Sequence, residues 1–167
     1  MMEKNRDTSG YFPMFFNIEG RKILIVGAGH IALRRVDTLL SFGAVLTVAA
    51  PVWEENIGKY EEQGRLTLLK DTYTPDLIES DYFMVIAATD NSDLNSAICR
   101  EGKRRGILVN NASDKSQCDF YFPAIVRQGD VIAGVCAGGK DHRLVRRAAA
   151  GMRDWLKKFM EEDGRTI

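Results

Sequence analysis

An apolar run of strand length, Lys22-Ile23-Leu24-Ile25-Val26, passes without a spacer into Gly27-Ala28-Gly29-His30-Ile31-Ala32, and a helical pattern starts at once. A Gly-x-Gly-x-x-Ala turn between a buried strand and a helix narrows the choice of fold sharply. The first glycine permits a tight turn. The second lets backbone approach a pyrophosphate, and the small residue in third place lets helix pack on strand. The helix then offers unpaired N–H groups and a partial positive charge to an anion. A glycine turn in an α/β protein without a ligand is the plain alternative; the placement after a buried strand favours a dinucleotide.

The rest of the chain continues that pattern. Ile31, Ala32, Arg35, Val36, Leu39 and Leu40 recur at helical spacing as far as about Phe42, and Gly43 ends the helix. Further strands are predicted at Val45–Ala49, Leu66–Leu69, Tyr82–Ala88 and Ile107–Asn110. Between them lie a helix over Trp53, Ile57 and Tyr60, a helical turn at Pro75–Glu79, and a helix over Asn91–Arg105. Strands alternating with helices imply a parallel sheet with right-handed crossovers. The pattern then changes to a hairpin, 119–127 and 131–136 around Gln128-Gly129-Asp130, followed by a helix from His142 to Glu161. Leu144, Val145, Ala148, Met152, Trp155, Leu156 and Phe159 mark the apolar face of that helix. The expected fold class is α/β: a Rossmann-like parallel sheet with a small β-hairpin-plus-helix dimerisation unit. The expected divisions are a disordered leader (1–10), an NAD-binding domain (11–115) and a dimerisation and substrate-cleft unit (116–167). The aromatic run Tyr11–Phe16 is expected to lie as a lid over the sheet edge, since Pro13 disfavours a central strand.

Totals exclude several classes. With 23 basic and 23 acidic residues among 167, bulk attraction to nucleic acid or to a membrane surface is not expected. No apolar run nears the roughly 20 residues of a membrane span, and Met1–Gly10 lacks the apolar core of a signal peptide. Cys99, Cys118 and Cys136 are odd in number and widely spaced. That excludes a disulfide framework and a zinc site of standard spacing, and suits a cytoplasmic protein. No resident metal is expected.

In an open parallel sheet, ligands sit beyond the C-terminal strand ends. Three such ends are polar here: Gly27-Ala28-Gly29-His30, Thr89-Asp90-Asn91, and Asn110-Asn111-Ala112-Ser113-Asp114. Asp90 serves either the cleft or as an N-cap, and Asn110 and Asn111 serve either a ligand or the loop backbone. An acid usually follows the glycines by about 20 residues to hold ribose hydroxyls. The second strand instead ends Val48-Ala49-Ala50-Pro51-Val52, with neither acid nor arginine. The adenosine end is therefore expected to rest on backbone and apolar contacts, and the choice between NAD and NADP stays open. Lys115, Arg127, Lys140, His142, Arg143, Arg146 and Arg147 surround the Gly138-Gly139 turn. They read either as a solvated face or as a site for several carboxylates.

Several segments together resemble the precorrin-2 dehydrogenase family, the dehydrogenase and sirohydrochlorin ferrochelatase module of siroheme synthases. They are Tyr11-Phe12-Pro13-Met14-Phe15, Ile25–Arg35, Val48-Ala49-Ala50-Pro51, Val85–Asp90, Val109-Asn110, Cys118–Ala124 and Gly138-Gly139-Lys140. The resemblance implies NAD-dependent oxidation of precorrin-2 to sirohydrochlorin in a homodimer, with Fe2+ as a further substrate where chelation follows. It implies NAD contacts at Gly27, Gly29, His30, Ile31, Pro51 and Val52; Thr89 and Asn110, at the polar strand ends, are expected near the nicotinamide. Lys115, Arg127, Gly138, Gly139, Lys140 and Arg143 would meet the tetrapyrrole carboxylates. The aspartate of the family falls at Ser113, with Asp114 the adjacent carboxylate. Asp114 is the expected base, His142 the second candidate, and His142 also reads as a helix-cap residue. Relatives usually continue past the position of Ile167, which predicts a more open cleft here or a longer parent protein. The rival classes are a nucleotide-sensing Rossmann module without catalysis and a dehydrogenase for another polycarboxylate.

Overall fold

The computed structural model describes residues 12–138 and 140–162. The expected leader, Tyr11 and Gly139 lie outside them. The chain divides into two compact units between Phe120 and Tyr121, with residues 12–15 grouped with the second.

The first unit holds β1 (Lys22–Val26), α1 (His30–Leu40), β2 (Val45–Ala49), α2 (Glu55–Glu62) and β3 (Thr67–Leu69). A 3-10 turn (Pro75–Leu77) leads to β4 (Met84–Ala87), α3 (Ser92–Arg104), β5 (Leu108–Asn111) and a second 3-10 turn (Lys115–Gln117). All strands pair in parallel, in the order β3-β2-β1-β4-β5. The order follows from burial. Ile23, Leu24, Ile25, Val85 and Ile86 are fully buried, and each such side chain favours the interior by about 1.5–3 kcal/mol. Strands apolar at every position must be covered on both faces, so β1 and β4 take the centre. Because β2 lies on one side of β1 and β4 on the other, the strand order reverses at the β1–β4 boundary. That reversal opens the crevice where α/β folds take ligands.

The elements expected in this unit are all present; β1 and β2 keep their expected ends and the others move by one or two residues. Trp53 precedes α2 instead of lying within it, and Asn91, not Asp90, caps α3. Asn91 Oδ1 accepts from the N–H groups of Asp93 and Leu94, both at 3.0 Å. Lys115–Gln117 form a 3-10 turn capped by Asp114.

The second unit pairs β6 (Ala124–Gln128) antiparallel with β7 (Val131–Val135), and α4 (His142–Glu162) follows. Gly129 turns the hairpin at φ +55°, a left-handed conformation that costs a glycine least. The first strand begins only at Ala124 because Pro123 lacks a donor for the ladder. Its core is Val126 with Ala149, Leu156 and Met160 of α4. The apolar face read from sequence is corrected here. Leu156 points inward, but Leu144, Met152, Trp155 and Phe159 are exposed, and Ala149 and Met160 take the buried positions. The lid reading is likewise corrected for Phe12, Met14 and Phe15, which are exposed. Phe16 does pack, edge-on to Phe83, with ring centroids 5.7 Å apart.

Candidate functional site

The turn after β1 lies at the strand-order reversal. Gly27 stands at φ +101°, and a Cβ there would fall 2.4 Å from the Ala88 carbonyl oxygen at the end of β4. Its N–H donates to Ala49 O of β2 at 2.9 Å. Only glycine lets three strands converge so closely. Gly29 differs: a Cβ there would meet nothing within 4 Å. Neither packing nor backbone requires a glycine at that point, so its small size leaves open ground in front of the helix. No side chain caps α1, and its first turn holds no acid. Its leading N–H groups therefore remain available to an anion, and Ala32 behind them is buried. An uncapped helix start behind open ground at a crossover is what a dinucleotide pyrophosphate requires.

The turn between β2 and α2 closes on this elbow. The Glu54 N–H donates to Ala28 O at 2.9 Å, and His30 Nδ1 lies 3.0 Å from Glu54 Oε1. Ala28 and His30 of the elbow are thereby tied to Glu54, in the turn that also carries Pro51 and Val52. Ile31 and Val52 are both exposed, Val52 at 79%, a cost tolerated where an apolar ligand surface can cover them. Glu54 carries no signal in the sequence, because the usual acid position lies directly after β2, at Ala50, four residues earlier.

At the ends of β4 and β5 a buried amide organises the loops. Asn95 of α3 is fully buried. Its Oδ1 accepts from Thr89 N–H at 3.0 Å and Thr89 Oγ1–H at 2.7 Å. Its Nδ2 donates to Thr89 O and Ser113 Oγ, both at 3.0 Å. Asn111 Oδ1 accepts from Ser113 N–H, Ser113 Oγ–H and Asp114 N–H at 2.8–3.2 Å. An unsatisfied amide at such depth costs about 1–3 kcal/mol, so Thr89 and Ser113 are tied to one another through Asn95. No signal in the sequence separates this Asn from a surface one. Asn110 is buried too, and its Nδ2 donates to Phe120 O at 2.9 Å. One end of its amide thus serves the loop backbone.

Asp114 borders this network. Its Oδ1 accepts from Ser116 N–H and Oγ–H, and its Oδ2 from Gln117 Nε2, at 2.7–2.9 Å. The Ser116 bonds, hydroxyl first, hold the carboxyl below its ordinary value. The group is ionised at neutral pH and is a weakened proton acceptor.

The expected cation cluster divides between the units. Lys115 opens the 3-10 turn of the first. Arg127 on β6, Gly138, Lys140 and Arg143 belong to the second, where the three cations are exposed. His142 is the first residue of α4, but the capping carboxylate is that of Asp141, whose Oδ1 accepts from Leu144 N–H at 2.8 Å. Among the described residues no group of three or more His, Cys, Asp or Glu gathers as a metal site.

The family model described as "putative NAD(P)-binding" matches residues 14–124. The chain is 35% identical over 136 residues to siroheme synthase 1 of Pectobacterium atrosepticum, covering 81% of this chain and 28% of the relative. It is 37% identical over 150 residues to siroheme synthase 2 of Aeromonas salmonicida, covering 90% and 31%. It thus spans less than a third of these relatives. Among solved structures, SirC, a precorrin-2 dehydrogenase, superposes with a TM-score of 0.70 at 26% identity, covering 86% of this chain and 70% of SirC.

Proposed function

This chain belongs to the NAD(P)-binding family of the siroheme synthases and precorrin-2 dehydrogenase, and from that premise we propose that it oxidises precorrin-2 to sirohydrochlorin with NAD+. The observation that carries the reading is the elbow at the β1–β4 reversal. There the glycine geometry, the uncapped α1 and the open ground at Gly29 suit a pyridine dinucleotide. The bound nucleotide supplies the hydride acceptor, and the chain supplies orientation. The first turn of α1 binds pyrophosphate. Ile31, Pro51 and Val52 shelter the adenosine half. The Asn95 clamp fixes Thr89 and Ser113 at the strand ends beside the reacting carbon. Oxidation removes one hydride and one proton. Asp114 is assigned as the proton acceptor by its place at the end of β5, with His142 second; the Ser116 bonds keep the carboxyl ionised and make it a weak base. Within the hairpin unit, the exposed cations Arg127, Lys140 and Arg143 are the groups proposed to meet substrate carboxylates, and within the sheet unit Lys115 is.

The support for iron insertion is thinner. Ser113 stands where the family aspartate is expected, and the oxygens of Asp114 already hold Ser116 and Gln117. Oxidation without insertion is therefore the favoured form. The outward stripe of α4, Leu144, Met152, Trp155 and Phe159, supports a homodimer through this helix. Among the described residues no helix is long and apolar enough to cross a membrane, and the buried thiols of Cys99 and Cys118 suit the reducing cytoplasm.

The test is incubation of the protein with precorrin-2 and NAD+, following the sirohydrochlorin spectrum and NADH together. Both should rise in equal amounts. Absence of any affinity for oxidised or reduced pyridine nucleotide would overturn the reading. Adding Fe2+ afterwards should leave the sirohydrochlorin spectrum unchanged over the time of oxidation.

A further inference from the structure

The corner that would receive the adenosine ribose lacks an acid at the end of β2, where Ala50 is buried. Two acids follow in the turn, Glu54 and Glu55. Glu55 turns along its own helix, with Oε1 2.6 Å from Lys59 Nζ. Glu54 turns the other way. Its backbone N–H is fixed to Ala28 O at 2.9 Å, and its Oε1 lies 3.0 Å from His30 Nδ1. The Glu54 carboxylate is thus held against the glycine elbow from the β2 side, the side on which a Rossmann fold reads the ribose. It remains about one-third exposed, while His30 is almost wholly exposed. One carboxylate oxygen serves His30, and the other has lone pairs left for a ligand donor.

We infer that Glu54 is the cofactor-specificity residue of this chain: displaced four residues from the usual position, it accepts a hydrogen bond from the ribose 2′-hydroxyl and rejects a 2′-phosphate. This inference rests on the proposal that the elbow holds a pyridine dinucleotide. A carboxylate hydrogen-bonded to a hydroxyl selects the nucleotide that has one. The same carboxylate faces a 2′-phosphate with like charge, so one group both attracts and excludes. His30 fixes the carboxylate in place and stands beside the pyrophosphate end of the elbow.

The experiment measures dissociation constants for NADH and NADPH by fluorescence titration of the full chain and its variants. The unchanged protein should bind NADH more tightly. Glu54→Gln preserves shape but removes the charge, and Glu54→Ala removes both. Each should weaken NADH about tenfold, the scale of a lost charged hydrogen bond, and strengthen NADPH, so that the preference shrinks more than tenfold. His30→Ala frees the carboxylate that it holds, so it should shift the ratio in the same direction as Glu54→Gln but less far. An unaltered NADH-to-NADPH ratio in both Glu54 variants would overturn the inference and leave the proposed function standing. Binding of neither nucleotide by the unchanged protein would overturn both.

Discussion

In the sheet unit the large side chains of β1 and β4 are sealed from solvent. In the hairpin unit Leu144, Met152, Trp155 and Phe159 form an open stripe along α4, and the Trp155 and Phe159 rings stack on each other with centroids 5.2 Å apart. Both units obey the same preference for burying apolar surface, and the difference lies in what each has available. Five parallel strands with flanking helices can close over themselves. Two antiparallel strands and one helix can cover only one side of the helix, using Val126 against Ala149, Leu156 and Met160. The sheet unit closes over its own large side chains, whereas the hairpin unit leaves an apolar stripe of α4 exposed, the surface proposed above to meet a second copy.

The largest expected effect tests the sealed unit. Gly27→Ala places a methyl group 2.4 Å from Ala88 O and forces a left-handed φ on a residue with a side chain. We expect a loss of about 3 kcal/mol or more in thermal or urea unfolding, together with loss of NADH binding. Stability close to that of the unchanged protein would mean that the β1–β4 crevice is looser than this geometry. Next in size is a test of the open stripe. Trp155→Asp introduces a charge where a partner helix would pack. The dimer dissociation constant from sedimentation should rise at least about a hundredfold, the scale of a central aromatic anchor. Far-UV circular dichroism should stay unchanged, because Trp155 contributes little to burial within its own chain. A protein that is monomeric before substitution would remove the comparison.

The difference between the units also governs what the sequence could disclose. Strands β1, β2 and β4 are legible because short apolar runs bounded by glycine or proline have few other solutions. The elbow is legible because the roles of its glycines are local in the chain. The split of the α4 face is not. A period of 3.6 residues shows that Leu144, Ala148, Met152, Trp155 and Phe159 share a side, but not whether a neighbour in the same chain covers it. Glu54 escaped notice because its side chain reaches back to His30, a contact between residues 24 positions apart. Asn95 escaped because burial, not residue type, makes it a clamp. Asp114 is legible as a strand-end acid, but its bonds to Ser116 and Gln117 depend on a 3-10 turn that no periodicity announces.

A middle-sized effect probes the clamp. Asn95→Ala removes partners from Thr89 and Ser113 at a fully buried position, and about 2 kcal/mol of stability should go with it. Ser113→Ala touches only one end and should cost less, about 0.5–1 kcal/mol. If the two act through the shared bond, the double variant should lose less than the sum. Strict additivity in urea unfolding would show that the β4 and β5 ends are held independently.

The smallest effect is a pH dependence confined to the sheet unit. Glu101 of α3 accepts from Arg104 Nε at 2.8 Å and from Arg105 Nε at 2.5 Å. Those two bonds pull its carboxyl from an ordinary value of 4.5 to about 2. Arg105 in turn reaches the carbonyls of Ile78 and Pro75, so the pair fastens α3 to the turn that precedes β4. A carboxyl depressed on folding stabilises the protein above its unfolded value. That contribution is fully present above about 4.5 and fades as pH falls toward about 2. Glu101→Gln should therefore lower the unfolding temperature slightly at pH 7, and the gap from the unchanged protein should close as pH drops through that window. Because ion pairs in contact with solvent contribute little, the shift should be the smallest of the four. A gap that widens on acidification would mean that the carboxylate is not the group that binds these arginines in the native sheet unit.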